Sequence, residues 1–317
     1  MPLNFAIVGV AGYIAPRHLK AIRDTGNILV AAVDPNDSVG LLDQYSFDVR
    51  YFKEIERFDR HLEKLRHGNE TERINYVSIC SPNYLHDAHC RLALRVHANA
   101  ICEKPLVINP WNLNALQEIE AEYNGKIYTV LQLRLHPKLV ELHKALQSTG
   151  QSGQHAVVLT YVTARGAWYH TSWKGSLEKS GGIATNIGIH LFDLLMWLFG
   201  VAGDIRVHYS DPERISGFLE LEHARVRWYL SVDHNDLPYH VAPGVRSTYR
   251  SITIDGQEVE FTEGFTDLHT RVYQEILAER GFGIEDARPS IELVHQIKTT
   301  PVSPQIDNIH PFLKGSH

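Results

Sequence analysis

Three cysteines occur in 317 residues, Cys80, Cys90 and Cys102. Their spacing matches no metal-ligand pattern, and so few thiols build no disulfide framework. Cys80 and Cys102 lie in apolar runs that read as strands, where a thiol behaves as a small buried hydrophobe; a reducing compartment suits them. No apolar run approaches the roughly 20 residues that a membrane helix needs. The best candidate, residues 191–201, is short and carries Asp193. Positive charge is not in excess either: 31 Lys and Arg against 37 Asp and Glu give a net charge of -6. That argues against nucleic acid or an anionic membrane surface as partner. There is no internal repeat, low-complexity tract or long linker. Met1-Pro2-Leu3-Asn4 enters a strand at once, without the pattern of a signal peptide. The expectation is a cytoplasmic globular protein.

What is present points to two domains, since a chain of this length exceeds the size at which one core usually keeps growing. Up to about residue 133, short apolar strands alternate with helix-length segments. Strands are expected at 5–8, 29–33, 76–80, 98–102 and 127–131, and helices at 15–25, 55–65, 85–96 and 111–122. This rhythm predicts right-handed βαβ crossovers and a doubly wound parallel sheet over residues 1–133. From 134 to 317 the rhythm changes. Helices at 137–147 and 186–199 flank a β-branched strand at 155–163. Strands then follow without intervening helices at 205–209, 215–221, 224–232, 246–254 and 258–261. Asp255-Gly256 is a hairpin signal. Closing helices are expected at 267–279 and 290–299. The second domain therefore reads as α+β, with an open, mainly antiparallel sheet.

Gly9-Val10-Ala11-Gly12-Tyr13-Ile14-Ala15 stands between the first strand and its helix. There a backbone free of Cβ can approach a pyrophosphate, and helix N–H groups can face it. The loop departs from G-x-G-x-x-G, because Ala11 takes the second glycine position. Asp34 ends the second strand about 20 residues after the glycine loop, as a dinucleotide fingerprint requires. Its carboxylate suits ribose hydroxyls and repels a 2′-phosphate, which predicts NAD over NADP. Gly9, Gly12, Tyr13, Ile14, Asp34 and Asn36 are the first candidate cofactor contacts.

Two further motifs carry chemistry. Cys102-Glu103-Lys104-Pro105 follows the fifth strand, and ligands of parallel sheets bind at the carboxyl ends of strands. Pro105 biases Lys104 toward extended backbone. In Gly181-Gly182-Ile183-Ala184-Thr185-Asn186-Ile187-Gly188-Ile189-His190, a helix would put Asn186 and His190 four apart on one face, with Asp193 on a neighbouring part of it. A histidine near neutral pKa suits removal of a hydroxyl proton during hydride transfer.

Together with Ser81-Pro82-Asn83-Tyr84-Leu85-His86, these motifs resemble the Gfo/Idh/MocA oxidoreductase family over nearly the whole chain. The family usually has Asp-x-x-x-His where this chain has Asn186-x-x-x-His190, so a neutral amide replaces a carboxylate. Within the family, the segments 12–18, 57–62, 132–137, 172–175 and 308–311 are similar to the WlbA/WbpB dehydrogenase branch. That branch oxidises C3 of UDP-N-acetylglucosaminuronic acid in making di-N-acetylated uronic sugars of bacterial surface polysaccharide. The resemblance implies NAD as cofactor, a UDP-sugar uronate as substrate, and a homodimer or homotetramer. A 2-oxo acid is a candidate for reoxidising NADH in place.

Such a substrate needs cations, and Lys104, Arg134, Arg165 and Lys174 are candidates, with Trp168 and Tyr169 to pack the sugar or nicotinamide. Arg165 and Trp168 are taken as cofactor contacts, and Arg134, Tyr169, Lys174 and Asn186 as substrate contacts. Ser81, Asn83 and His86 are expected to line the crevice, and Glu103 and Gln132 to lie near the nicotinamide ribose. The C3 hydroxyl is expected between Lys104 and His190, with His190 as base and Lys104 stabilising the developing negative charge. The reverse, a neutral Lys104 as base, stays open. So do oxidation of a free polyol or cyclitol, transient ketone formation without net NADH, and a non-catalytic NAD(H)-binding regulator.

Overall fold

The computed structural model describes residues 1–148, 153–238, 247–259, 261, 267–305 and 307–314. The chain falls into two compact units, Met1–Leu135 with Thr266–Arg288, and His136–Phe265 with Pro289–His317.

In the first unit the apolar runs become β1 (Asn4–Val8), β2 (Ile28–Val33), β4 (Tyr76–Ile79), β5 (Asn99–Cys102) and β6 (Ile127–Thr129), with β3 (Arg50–Phe52) between β2 and β4. The helices are α1 (Ala15–Asp24), α2 (Ile55–Arg66), α3 (His86–Arg95) and α4 (Trp111–Tyr123). Strand order is β3-β2-β1-β4-β5-β6, and every pairing is parallel. This is the expected doubly wound sheet. Chain order reverses between β1 and β4, the switch point beside which such sheets bind ligands. Strand β3 was not expected. Three residues are too short to show a period, and its place comes from pairing with β2.

The second unit begins with α5 (Pro137–Ser148) and β7 (His155–Thr163), followed by the short helices α6 (Trp168–Thr171) and α7 (Leu177–Ser180). Next come α8 (Ile189–Phe199), β8 (Ala202–Ser210), β9 (Arg214–Leu221), β10 (Ala224–Ser231), β11 (Thr248–Ile254) and β12 (Gln257–Glu258). The sheet runs β12-β11-β7-β10-β9-β8; β7 and β10 pair in parallel and the other pairs are antiparallel. Asp255 and Gly256 both have positive φ, 51° and 81°, in the hairpin between β11 and β12, the conformation that selects such a pair. Arg246 and Glu260, at the edges of two expected strands, lie outside the described residues.

Residues 184–188 are not regular α-helix but a π-helical turn leading into α8. Gly188 sits within it because a Cβ there would come 2.6 Å from Leu230 Cδ1. The turn lets the segment pack against β10. Leu177–Phe199 as a whole is long and apolar enough to cross a bilayer by composition, yet 72% of that window is buried inside the fold. Its apolarity serves the core.

After β12 the chain returns to the first unit as α9 (Leu268–Leu277) and continues into α10 (Ile284–Thr299). The single division expected at 133/134 therefore captures only the first crossing. Residues 266–288 were assigned to the second domain, whereas Val272, Tyr273 and Ile276 are buried in one cluster with Phe5, Ile7, Leu19 and Ile22. Phe282 O also accepts from Thr129 N at 2.8 Å on edge strand β6. A helix with α9's pattern fits any apolar face; the face it meets is a tertiary matter.

Candidate active site

The dinucleotide loop is built by contacts that its irregular sequence had hidden. Gly9 has φ of +83°, and a Cβ on it would lie 2.7 Å from Cys80 backbone atoms. Glycine is thus needed both for backbone conformation and for the close approach of β4. Ala11, which stands where a glycine is usual, donates its N–H to Asp34 Oδ2 at 3.0 Å, and Asn36 N donates to Oδ1 at 2.9 Å. Tyr51 holds the same corner, donating to Asp34 O at 2.7 Å and Asn36 O at 3.1 Å. Each Asp34 oxygen thus accepts one backbone N–H, and an ionised oxygen has further acceptor capacity for a ribose hydroxyl. Ile14 precedes α1 without a capping side chain; in the first turn Ala15 N donates to Gly12 O at 3.1 Å, Arg17 N donates to Ile14 O at 3.0 Å, and Pro16 has no N–H to give. Tyr13 is exposed.

Gln132 is buried, and its Oε1 accepts no hydrogen bond among the described residues. A buried acceptor without a donor is costly, and a bound group bearing N–H or O–H would remove that cost. With the glycine loop and Asp34, this makes the first unit fit a dinucleotide. Ser81 and Asn83 are buried after β4, and Ser81 Oγ lies 2.8 Å from His89 Nδ1. Lys104 is half-buried after β5, and the Lys104–Pro105 peptide is cis.

Three expected contact residues have partners within the fold. Glu103, expected near the nicotinamide ribose, accepts at Oε2 from Lys104 N at 3.3 Å. Its Oε1 accepts from His18 Nε2 and from His269 Nε2, both at 2.9 Å. His86 was expected to line the crevice, yet both its ring nitrogens meet backbone carbonyls, Pro105 O at 2.7 Å and Ser81 O at 2.8 Å. Arg134 was expected to hold substrate. Its Nη2 donates to Asp286 O at 3.0 Å, its Nη1 lies 3.5 Å from the Asp286 carboxylate, and its guanidinium lies over Phe282. In each case a residue distant in sequence supplies the competing partner.

The Glu103 network runs deep. His18 Nδ1 meets Tyr273 Oη at 2.8 Å, which meets Ser78 Oγ at 2.6 Å. A carboxylate only accepts, so Nε2 of His18 carries its proton. Burial lowers the pKa of His18 and keeps the ring neutral despite Glu103. Nδ1 then accepts from Tyr273, whose oxygen accepts from Ser78. Burial pushes the Glu103 carboxyl up, but the two histidine hydrogen bonds outweigh it and hold it well below the usual carboxylate range. His18, His269 and Tyr273 were missed as a group because they come from helices at opposite ends of the chain.

In the second unit the strand β7 delivers Arg165 and the short helices after it. Arg165 N donates to Val232 O at 2.9 Å, and its side chain is exposed. Tyr169 is 2% exposed and its hydroxyl accepts from Asn186 Nδ2 at 3.4 Å. Asn186 and Tyr169 are thus brought together, and the amide in place of the family's carboxylate is a donor to a buried phenol. Lys174 Nζ lies over the rings of Trp168 and Trp173, at 5.4 and 5.7 Å from their centroids. Burial and the Arg165 charge lower its pKa. Gly181 and Gly182, both at positive φ, turn the chain from α7 into the π-helical segment; Asn186 in that segment and His190 at the start of α8 are both half-buried.

Comparison with known proteins agrees with both halves. Residues 3–131 match the oxidoreductase family's NAD-binding Rossmann fold, and residues 155–302 match its C-terminal alpha/beta domain. The chain belongs to the Gfo/Idh/MocA oxidoreductase family. Its first unit is an NAD-binding Rossmann domain. A WlbA (WbpB) dehydrogenase from Thermus thermophilus, crystallised with NAD and alpha-ketoglutarate, is 51% identical, with a TM-score of 0.93 over 98% of this chain and 99% of that one. A structure of the dehydrogenase of the same name and organism with NAD and UDP-GlcNAcA gives 50% and 0.92, with the same coverage. Among curated family members, an inositol 2-dehydrogenase of Rhizobium meliloti is 25% identical over 203 residues, 63% of this chain. The match spans only 56% of that relative's length.

Proposed function

We propose that this oxidoreductase uses NAD to oxidise the C3 hydroxyl of UDP-N-acetylglucosaminuronic acid to the 3-keto sugar, in assembly of bacterial surface polysaccharide such as lipopolysaccharide O-antigen. One observation carries this reading: half of all residues are identical, across 98% of the chain, to a dehydrogenase crystallised with NAD and UDP-GlcNAcA. Bound NAD supplies the hydride acceptor, and the chain supplies position and electrostatics. Gly9, Gly12, Tyr13, Ile14, Asp34, Asn36, Ser81, Asn83 and Gln132 are the residues proposed to hold it, with Arg165 and Trp168. His190 takes the hydroxyl proton, and Lys104 stabilises the oxygen as charge develops. Lys174 and Arg165 match the anionic groups of a sugar-nucleotide uronate, and Tyr169 and Asn186 form the polar wall beside them.

The test is mass spectrometry of the product from UDP-N-acetylglucosaminuronic acid and NAD. Loss of two hydrogens, trapped at C3, is the expected result. Turnover of inositol or glucose instead, with none of the UDP-sugar, would replace this reading with polyol oxidation.

A second reading concerns cofactor recycling, and the alpha-ketoglutarate bound in the Thermus enzyme favours it. A 2-oxo acid reoxidises NADH on the protein and leaves as the 2-hydroxy acid. Product formation with catalytic NAD and excess 2-oxo acid checks this; a strict need for stoichiometric NAD would reject it. A homodimer or homotetramer is part of the proposal and is read by light scattering.

A further inference from the structure

His86 opens α3 and is 1% exposed. Its Nδ1 lies 2.7 Å from Pro105 O and its Nε2 lies 2.8 Å from Ser81 O. A carbonyl oxygen only accepts, and a neutral imidazole has one N–H to give. In the neutral ring, whichever tautomer it takes, one of these contacts sets a nitrogen lone pair against an oxygen lone pair at hydrogen-bond distance. Two hydrogen bonds require both nitrogens protonated. We propose that His86 is held as a buried imidazolium that clamps the loop after β4 to the loop after β5, and thereby positions Lys104, the residue before Pro105.

Glu103 is the carboxylate facing His86, and Lys104 is the neighbouring positive group. His89, one turn further along α3, is kept neutral by burial and by the charge of His86, with its pKa lowered to about 4. Burial is the largest effect and, with the Lys104 charge, draws the His86 pKa below its usual value, against the pull upward of the Pro105 and Ser81 carbonyls and the Glu103 charge; the two short carbonyl contacts argue for the opposite state. Geometry decides between these opposing effects, because neither tautomer of the neutral ring satisfies both short contacts. Helix α3 also holds Ser81 a second time, through His89 and the Ser81 hydroxyl. The loop after β4 is thus fixed at both oxygens of Ser81, and His86 ties it to the strand end that carries Lys104.

The consequence for Lys104 rests on the catalytic role proposed for that residue; the protonation state of His86 does not. Neutron diffraction from deuterium-exchanged crystals of the intact NAD-bound protein at neutral pH reads the state directly. Deuterium on both ring nitrogens is expected, and deuterium on only one overturns the proposal. His86→Gln keeps one donor and one acceptor but cannot donate at both ends. It should lower kcat about 100-fold, the scale of a 1 Å misplacement. Normal kcat in this variant would overturn the positioning role. An imidazolium at neutral pH requires a folded-state pKa above the unfolded value of about 6.5, so the stability it contributes is full below that value and lost as pH rises through the folded one. The melting-temperature gap between wild type and His86→Gln should therefore narrow at alkaline pH, and a gap that widens would count against the imidazolium. If Lys104→Ala itself keeps its turnover, the reading of Lys104 fails while the neutron result stands.

Discussion

Replacing Tyr273 by Phe removes one oxygen from the buried core of the NAD-binding unit and changes little else. That oxygen accepts from Ser78 Oγ at 2.6 Å and donates to His18 Nδ1 at 2.8 Å. Ser78 and His18 are both 0% exposed, so neither can turn to water. Ser78 can rotate its hydroxyl to another acceptor, but His18 Nδ1 is left as an acceptor without a donor. Such an unsatisfied buried group costs about 1–3 kcal/mol. For a domain of this size about 2–4 °C accompanies each kcal/mol, so the midpoint should fall by about 2–12 °C. Calorimetry on the NAD-free protein measures it, with Ser78→Ala and the double variant completing a cycle. If the network is one unit, the two losses fall short of additive. An unchanged midpoint in Tyr273→Phe would refute the assigned chain of donors, because it would mean that His18 has another partner.

Other outcomes follow from the same geometry. Asp34→Ala removes the acceptor of the Ala11 and Asn36 N–H groups as well as the proposed ribose contact, so NAD affinity should fall at least about tenfold, equivalent to about 1.4 kcal/mol; unchanged binding by calorimetry would take Asp34 out of the site. Lys104→Ala and His190→Ala should each lose most of kcat while binding NAD normally, and near-normal turnover in His190→Ala would remove it as base. Glu103→Gln should be less stable than wild type at neutral pH. The Glu103 pKa is depressed in the folded state, so its contribution is present above the unfolded value of about 4.3 and lost as pH falls through the folded one. The difference in unfolding free energy between wild type and Glu103→Gln should shrink below that pH, and a constant difference would argue against a charged Glu103.

Much of the architecture was legible because it is local. Apolar runs ending at glycine or proline, separated by helix-length segments, predict a parallel sheet wherever they occur, and β1, β2, β4 and β5 match their expected spans to within a residue or two. The glycine loop, Asp34 and the Lys104 strand end could be placed on that frame from spacing alone. What escaped was short or distant. Strand β3 has three residues and no period. The π-helical turn at Ala184–Gly188 depends on how closely the chain meets Leu230, which no local preference encodes. Arg134 looked available for substrate until Asp286, 152 residues away, proved to be its partner.

By itself the sequence determined the class of fold, the presence of a dinucleotide site and its preference for NAD, since these depend on periodicity, on glycines without a Cβ and on one carboxylate at a strand end. Only the tertiary structure decided which polar residues face inward. It returned α9 to the first unit, closed His18, Tyr273 and His269 around Glu103, and set His86 between two carbonyls. The physical reason is that a buried polar group must find a partner, and the partner is chosen by packing, not by position along the chain.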